Sequence, residues 1–255
     1  MNLFDFTEEF KKIERDGYVI LKKCVLKKSI DKLLKKTIIP ILHKKNIYLT
    51  KKQSWKRRSG RLIYGKYGDH IIDRNNSHFR FKGIFNSKKL INFINQYHTR
   101  NYYKTNKTKW NFNLLALEGL GWIHLRYPFK KYINNYIKPI KYGFHLDGID
   151  EEINPTQSLV ILPFITDVKP LGGGTAIIPG SHKFINDFIH SKKQNNIDLL
   201  DKINNIVNNN RQKIIEATGN KGDILILHPH LVHSSSYADI KSKVRITFNL
   251  STETI

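Results

Sequence analysis

The pattern of apolar residues changes near Leu114, and this change limits the possible folds more than any other feature of the chain. Before it, apolar side chains recur at helical spacing, over Glu8–Arg15, over Ile30–Ile38 and again from Ser87 onward. After it, short apolar stretches alternate with glycine and proline turns, and a helical pattern at Ile197–Val207 interrupts them. Helices followed by a series of short strands predict a mainly β fold, a sandwich or barrel with flanking helices.

The individual elements are predicted from short apolar runs and from the residues that begin and end them. We expect strands at Tyr18–Leu21, Ile123–Tyr127, Ser158–Phe164, Thr175–Ile178, Lys213–Thr218, Asp223–Leu227 and Val244–Leu250. Thr7 is expected to cap the first helix and Gly17 to end it, while Ser29 caps the second helix and Pro40 ends it. The basic and aromatic segment Ile47–Phe85 matches no regular element.

The chain is predicted to form one domain, because no internal repeat and no Gly/Ser- or Pro-rich linker divides its 255 residues. We expect a single domain over residues 1–255, with helices in about 1–112 and a barrel core in about 113–255. The longest apolar stretch contains Glu118, so no membrane span is expected. Cys24 is the only cysteine, which predicts a reducing, intracellular compartment, with the cytoplasm as the first choice.

The chain is strongly basic, with 44 Lys and Arg against 21 Asp and Glu and a net charge of +23. Such a charge favours anionic substrates or polyanions as partners. Lysine, asparagine and isoleucine are abundant together along the whole chain, which also indicates a bias towards A- and T-rich codons. Because the lysines are spread rather than concentrated in one block, we favour the coding bias as the explanation.

The first candidate site is the segment Phe144-His145-Leu146-Asp147-Gly148. Residues two apart on a strand point to the same side, so the His145 imidazole and the Asp147 carboxylate can converge on one point. One nitrogen and one oxygen donor on the same side form half of a metal site. A histidine in a turn beside an aspartate cap also fits this short triplet.

The second candidate site is the run Gly222–Ser235, in which an apolar strand leads into His228, His230 and His233. A hairpin with the next strand would bring Arg245 back beside these histidines. Two histidines and one carboxylate with open positions form the facial triad of non-haem iron(II) oxygenases. A neighbouring arginine can bind the carboxylate of a keto acid through two parallel hydrogen bonds.

The third candidate segment is Gly172–Lys183, a glycine turn, a short strand and a Pro179-Gly180 turn. We expect it to form a hairpin edge near the opening of the site. It is not a phosphate-binding loop, because no Gly-Lys-Ser/Thr follows at the required place. His182 is expected on a turn in a structural role.

Taken in order, these segments resemble the phytanoyl-CoA dioxygenase family of iron(II)- and 2-oxoglutarate-dependent oxygenases. The resemblance depends on Arg15–Leu21, Phe144–Gly148, Gly173–Lys183, Gly222–Ser235 and Arg245. Residues 43–112 contribute nothing to it. The resemblance implies a double-stranded β-helix, a cupin-like jelly-roll barrel with flanking helices.

The resemblance also implies a set of site residues and a reaction. His145, Asp147 and His233 would be the catalytic iron(II) ligands. The family pattern favours His233 over His228 and His230 as the third ligand. Arg245 would bind the distal carboxylate of 2-oxoglutarate, assisted by the Ser235 hydroxyl. With O2 as the second co-substrate, the enzyme would hydroxylate its substrate and release succinate and CO2. A carboxylate at the second ligand position favours hydroxylation over halogenation.

The sequence leaves the partner and two other functions open. The substrate would be a small-molecule or anionic compound, and neither its identity nor the oligomeric state follows from the sequence. The main alternative is a non-catalytic basic module that binds nucleic acid or another polyanion, with Trp55 stacking on bases within the basic run Lys51–Arg58. A solvated loop is the favoured interpretation of that run, since no known nucleic-acid motif accompanies it. The third hypothesis is a cupin-like enzyme that uses another divalent metal and no keto acid.

Overall fold

The helices and strands of the protein are seen in a computed structural model that describes residues 4–55, 87–105, 122–128, 143–147, 157–191 and 196–253. The helices are α1 Thr7–Asp16, α2 Lys27–Leu33, α3 Ile39–Lys44, α4 Lys88–Thr105, α5 Ser181–His190 and α6 Asn196–Asn209. A π-helical turn at Leu34–Ile38 joins α2 to α3, and short 3-10 turns lie at Lys52–Ser54 and Arg211–Lys213. None of the helices in these ranges is both long and apolar enough to cross a membrane.

The strands form two antiparallel sheets. They are β1 Tyr18–Leu21, β2 Trp122–Arg126, β3 Gln157–Pro163, β4 Thr175–Ile177, β5 Ile215–Ala217, β6 Ile224–Leu227, β7 His233–Ser235 and β8 Arg245–Glu253. The order is β1-β6-β3-β8-β2 in the larger sheet and β5-β4-β7 in the smaller one. Helices flank these sheets, which confirms the prediction of a β core flanked by helices. All seven predicted strands are present with small shifts at their ends.

Two of the predicted helix caps are wrong. Thr7 is the first residue of the first helix and not the residue that caps it. Its backbone N–H donates a hydrogen bond to the Asp5 carboxylate at 2.9 Å. The second helix begins two residues before Ser29 and continues through the π-helical turn past Pro40. Proline is tolerated there because it lies in the first turn of α3. Gly17 does end α1, with the φ of +80° that glycine adopts most easily.

The chain between β6 and β8 differs from the prediction. We expected a hairpin between the two strands, but β6 pairs with β1 and β3, and β8 pairs with β3 and β2. After Leu227 the chain leaves the larger sheet and crosses to the smaller one, where β7 pairs with β4. Therefore His233 and Arg245 lie in different sheets that meet at the site.

The hairpin edge predicted over Gly172–Lys183 is wrong beyond strand β4, which pairs with β5 and β7. Gly180, with a φ of +78°, begins helix α5, so His182 lies in the first turn of a helix and not on a turn between strands. This helix and α6 pack against the smaller sheet through an apolar cluster that includes Ile185, Leu199 and Ile203.

The core has two layers on either side of the larger sheet. On β6, Ile224 and Ile226 pack towards α1–α4, while Leu225 and Leu227 pack towards the smaller sheet. All four side chains are fully buried. Each contributes about 1.5–3 kcal/mol relative to an exposed side chain. The sheets are therefore held at a fixed separation, which positions the residues at their common end.

Candidate metal centre

A single pair of backbone hydrogen bonds sets two histidines side by side. His145 N donates to His233 O at 2.9 Å, and His233 N donates to His145 O at 3.1 Å. Residues that face each other in an antiparallel pair point to the same side, and the two imidazole centroids lie 4.5 Å apart. Phe144 and Leu146, the neighbours of His145 in the chain, point the opposite way and pack on the apolar cluster of α5 and α6.

Asp147 completes a group of three metal-binding side chains. Its Oδ2 lies 3.3 Å from His233 Nε2, and its Oδ1 lies 3.8 Å from His145 Nε2. All three donor atoms lie within 4.8 Å of one another. In the part of the chain that the structure describes, this is the one such group of three or more residues. The His233 side chain is 6% exposed and that of His145 is 51% exposed, so the group opens to solvent on the His145 side.

Backbone carbonyls orient both imidazole rings for metal binding. Nδ1 of His233 lies 2.8 Å from Leu231 O, and Nδ1 of His145 lies 3.3 Å from Gly143 O. Because a carbonyl only accepts hydrogen bonds, Nδ1 carries the proton in the neutral ring and Nε2 keeps its lone pair. Both lone pairs then face the Asp147 carboxylate, which is a donor set that requires a cation at its centre.

The protonation equilibria of this group agree with that requirement. Burial favours a higher pKa for Asp147, but the hydrogen bond and charge of His233, with the charge of His145, lower the pKa to about 2. Burial lowers the pKa of His233, but the Asp147 carboxylate outweighs this effect, so the pKa is raised. A proton on His233 therefore occupies the role that a metal ion takes when bound. The three residues thus fit iron(II) by donor type and orientation.

Arg245 lies buried at the first position of β8, 3% exposed. Its Nη1 donates to Gly173 O and its Nη2 donates to Thr247 Oγ1 at 3.0 Å, while Nε has no acceptor among the described residues. Burial and the charge of Arg126 together lower the pKa of Arg245 to about 9, against the opposing effect of Glu216. At neutral pH the guanidinium stays charged, so this is a buried cation to which an anion would bind favourably.

The glycine turn predicted from the sequence serves to hold Arg245. The Glu216 carboxylate accepts hydrogen bonds from Leu171 N and Gly174 N, both at 2.6 Å. A Cβ on Gly174 would lie 2.3 Å from Ala217 O, so only glycine allows this approach. The turn fixes the Gly173 carbonyl that accepts from Arg245, a role that the sequence did not indicate.

Sequence reasoning missed Arg126, which lies directly opposite Arg245 in the β2–β8 pairing. Its Nη2 donates to the hydroxyl of Ser235, which follows His233 by two residues on β7. The sequence signal that could have found Arg126 is the alternation of apolar and polar residues on β2. Ile123 and Leu125 are buried, and the polar residues next to them point to the other side of the strand. His124 shares that polar side, and its charge also lowers the pKa of Asp147.

The rival histidines form a separate cluster with His182. Ring centroids lie 5.0 Å apart for His182 and His228, and 5.2 Å apart for His228 and His230. His182 Nε2 donates to Glu14 O at 3.2 Å, and His230 Nδ1 bonds to Asn186 Oδ1. Burial lowers the pKa of all three histidines. The cluster connects α1 and α5 to the end of β6, which is a structural role.

Trp55, the proposed base-stacking residue, is half-buried and packs against the core cluster. Its ring stacks on Tyr127 with centroids 5.7 Å apart and planes at 19°, and its Nε1 donates to Tyr48 O at 2.9 Å. Lys56–Arg58 lie outside the described residues. The nucleic-acid alternative therefore gains no support from this region.

The chain is similar to known proteins both in sequence and in fold. The sequence model of the family described as phytanoyl-CoA dioxygenase matches residues 13–238. No curated protein sequence matches that of this chain significantly.

Solved structures of similar fold include an alpha-ketoglutarate-dependent enzyme, a protein with bound Fe and a protein with bound nickel and 2-oxoglutarate. The non-heme alpha-ketoglutarate-dependent carbocyclase SnoK from nogalamycin biosynthesis has 14% identity over 98% of this chain and 84% of its own, with a TM-score of 0.53. EctD from S. alaskensis with bound Fe has 14% identity over 97% and 76%, with a TM-score of 0.52. HygX from Streptomyces hygroscopicus, with nickel and 2-oxoglutarate bound, has 11% identity over 97% and 86%, with a TM-score of 0.50.

At identities of 11–14%, these likenesses establish a shared fold. The family match covers far more than half of the chain and carries the assignment. The chain belongs to the phytanoyl-CoA dioxygenase family and is a non-haem dioxygenase that uses iron(II), 2-oxoglutarate and O2.

Proposed function

We propose that the protein hydroxylates a small-molecule or anionic substrate, with release of succinate and CO2. In this proposal His145, Asp147 and His233 bind iron(II), and Arg245 and Ser235 bind the distal carboxylate of 2-oxoglutarate. The observation that carries it is the convergence of three donor atoms within 4.8 Å, with both imidazoles oriented through Nδ1. The facing antiparallel sheets support a double-stranded β-helix as the fold, in one domain.

Iron(II), when bound, supplies the activation of O2 that is coupled to oxidative decarboxylation of 2-oxoglutarate. The protein supplies binding and orientation. The two imidazoles and the carboxylate would hold the metal as three ligands and would leave room for co-substrates. Because His145 is half exposed while His233 is buried, the substrate approaches from the His145 side.

Arg245 orients the keto acid in this arrangement. Its guanidinium is held by Gly173 O and by Thr247, so it presents a fixed donor array rather than a mobile charge. The Ser235 hydroxyl lies on the same strand as His233 and adds a second donor. A carboxylate bound at these residues places the keto acid with its other end towards the metal ligands.

The class of substrate follows from weaker observations. The net charge of +23 favours an anionic compound, with coding bias as the competing explanation. The named neighbours include a carbocyclase, so the shared fold by itself does not set the outcome of the reaction. The carboxylate of Asp147 among the proposed ligands favours hydroxylation.

The test is succinate release from 2-oxoglutarate with iron(II) and O2, across a panel of metabolites, acyl-CoA thioesters, sugar nucleotides and oligonucleotides. Asp147→Ala is expected to abolish turnover, because it removes the charged ligand. Asp187→Ala, which removes an exposed carboxylate on α5, is the matched control and keeps full turnover. Full activity of the Asp147→Ala protein would contradict the ligand assignment.

A further inference from the structure

We propose that Arg126 is a further binding residue for the co-substrate, so that two guanidinium groups and the Ser235 hydroxyl together bind one carboxylate. This inference depends on the proposed function, in which Arg245 and Ser235 bind the distal carboxylate of 2-oxoglutarate. We call Arg126, Arg245 and Ser235 the carboxylate bay.

The pairing of β2 with β8 brings the two arginines together. Arg126 and Arg245 are directly opposite each other, and the preceding pair on the same side is His124 with Thr247. Side chains that face each other across an antiparallel pair leave from the same face of the sheet. The flanking residues Leu125 and Tyr127 are buried in the core cluster on the other face. Arg126 is therefore directed to the side on which Arg245 lies.

A contact between the sheets brings Arg126 to β7. Its Nη2 donates to Ser235 Oγ, which links the last position of β2 to the strand that carries His233. Arg245 makes the corresponding link to the turn before β4 through Gly173 O. Both arginines thus bridge the two sheets at the same end, next to the candidate metal ligands. A carboxylate that contacts the Ser235 hydroxyl lies within reach of Arg126.

The charges in the bay favour an anion shared by both arginines. The nearby positive charge of Arg126 is one of the causes that lower the pKa of Arg245. Two like charges, one of them buried, repel each other, and a carboxylate between them converts this repulsion into two attractions. The charge of Glu216 also acts on Arg245, but its carboxylate already accepts from Leu171 N and Gly174 N. The ligand chemistry that fits is a terminal carboxylate.

The test compares two keto acids that differ only at the distal end, 2-oxoglutarate and 2-oxopentanoate. Their dissociation constants are measured by anaerobic calorimetry with iron(II) present. Arg126→Gln is expected to weaken 2-oxoglutarate binding by about 10- to 100-fold, the size of a lost charge-assisted hydrogen bond. Binding of 2-oxopentanoate, which has no distal carboxylate, should change by less than about threefold. Unchanged or tighter binding of 2-oxoglutarate to the variant would overturn the inference, since Arg126 would then contribute nothing to binding or would oppose it.

Three controls make the result specific. Arg211→Gln removes an exposed arginine that donates to Asn208, and it should leave both dissociation constants unchanged. Arg126→Lys keeps the charge, so it should bind 2-oxoglutarate more weakly than the wild type but more tightly than Arg126→Gln. If the glutamine variant folds poorly, the comparison of the lysine variant with the wild type still tests the inference. In a Ser235→Ala background, Arg126→Gln should still weaken binding. If it adds nothing there, Arg126 only positions Ser235 and the inference fails.

A measurement without metal separates this inference from the proposed function. Glutarate, which has the carboxylate but no keto group, should raise the Tm of the metal-free protein, and glutaramide, its uncharged isostere without a carboxylate, should raise it less at the same concentration. The increase should be smaller in Arg126→Gln. If the wild-type protein binds no 2-oxoglutarate at all, the proposed function fails. If it does bind and Arg126→Gln binds equally well, only the inference fails.

Discussion

The buried histidine cluster predicts that the protein loses stability as the pH falls below 6.5. Burial and the charges of His190 and His182 lower the pKa of His230 from 6.5 to about 4. Between these two pH values the unfolded chain binds a proton that the folded chain does not. The free energy of unfolding therefore decreases as the pH decreases. For these two pKa values, the loss between pH 7.5 and pH 5 is about 2 kcal/mol from His230 alone.

Urea unfolding of the metal-free protein at pH 7.5 and pH 5 measures this effect. The wild-type difference contains the contributions of all titrating groups, but comparison with His230→Gln isolates that of His230. The free energy of unfolding of the variant should fall by about 2 kcal/mol less than that of the wild type over this range. His98 in α4, whose pKa burial also lowers to about 4, offers an independent second variant, His98→Gln. Wild-type pH dependence in both variants would refute the reasoning.

Four other substitutions test separate parts of the structure. Arg245→Gln should weaken 2-oxoglutarate binding by at least about tenfold in calorimetry, because the proposed function makes its buried guanidinium the main carboxylate partner. Gly174→Ala should lower the free energy of unfolding by about 2 kcal/mol in urea, because the new methyl group meets Ala217 O at 2.3 Å. Phe248→Ala should cost about 3–5 kcal/mol in the same assay, since this side chain is fully buried. Trp55→Ala should leave the salt-dependent retention of the protein on an oligonucleotide column unchanged, because the ring is stacked within the protein.

Local periodicity explains why part of the candidate site could be predicted. The spacing of His145 and Asp147 alone indicates that both side chains point to one side, and the structure has them so. The apolar run of β6 and the glycine end of α1 are local in the same sense. These features need no knowledge of distant parts of the chain.

The rest of the site depends on pairings between distant segments, which one sequence does not specify. The pairing of His145 with His233 crosses between segments far apart in the chain, and β7 has only three residues, too few for a recognisable pattern. Arg126 becomes notable only once β2 is known to lie beside β8. The expected hairpin was wrong for the same reason: an apolar strand such as β6 fits a central position between two partners as well as it fits a hairpin.

The central claim is that one iron(II) ion is bound by His145, Asp147 and His233 together with 2-oxoglutarate. Anaerobic addition of iron(II) and 2-oxoglutarate should produce the weak visible charge-transfer band of an iron–keto acid complex. His233→Ala should abolish the band, while His230→Ala, which removes a buried histidine of the structural cluster, should keep it. No band in the wild-type protein, or loss of the band in His230→Ala but not in His233→Ala, would contradict the account.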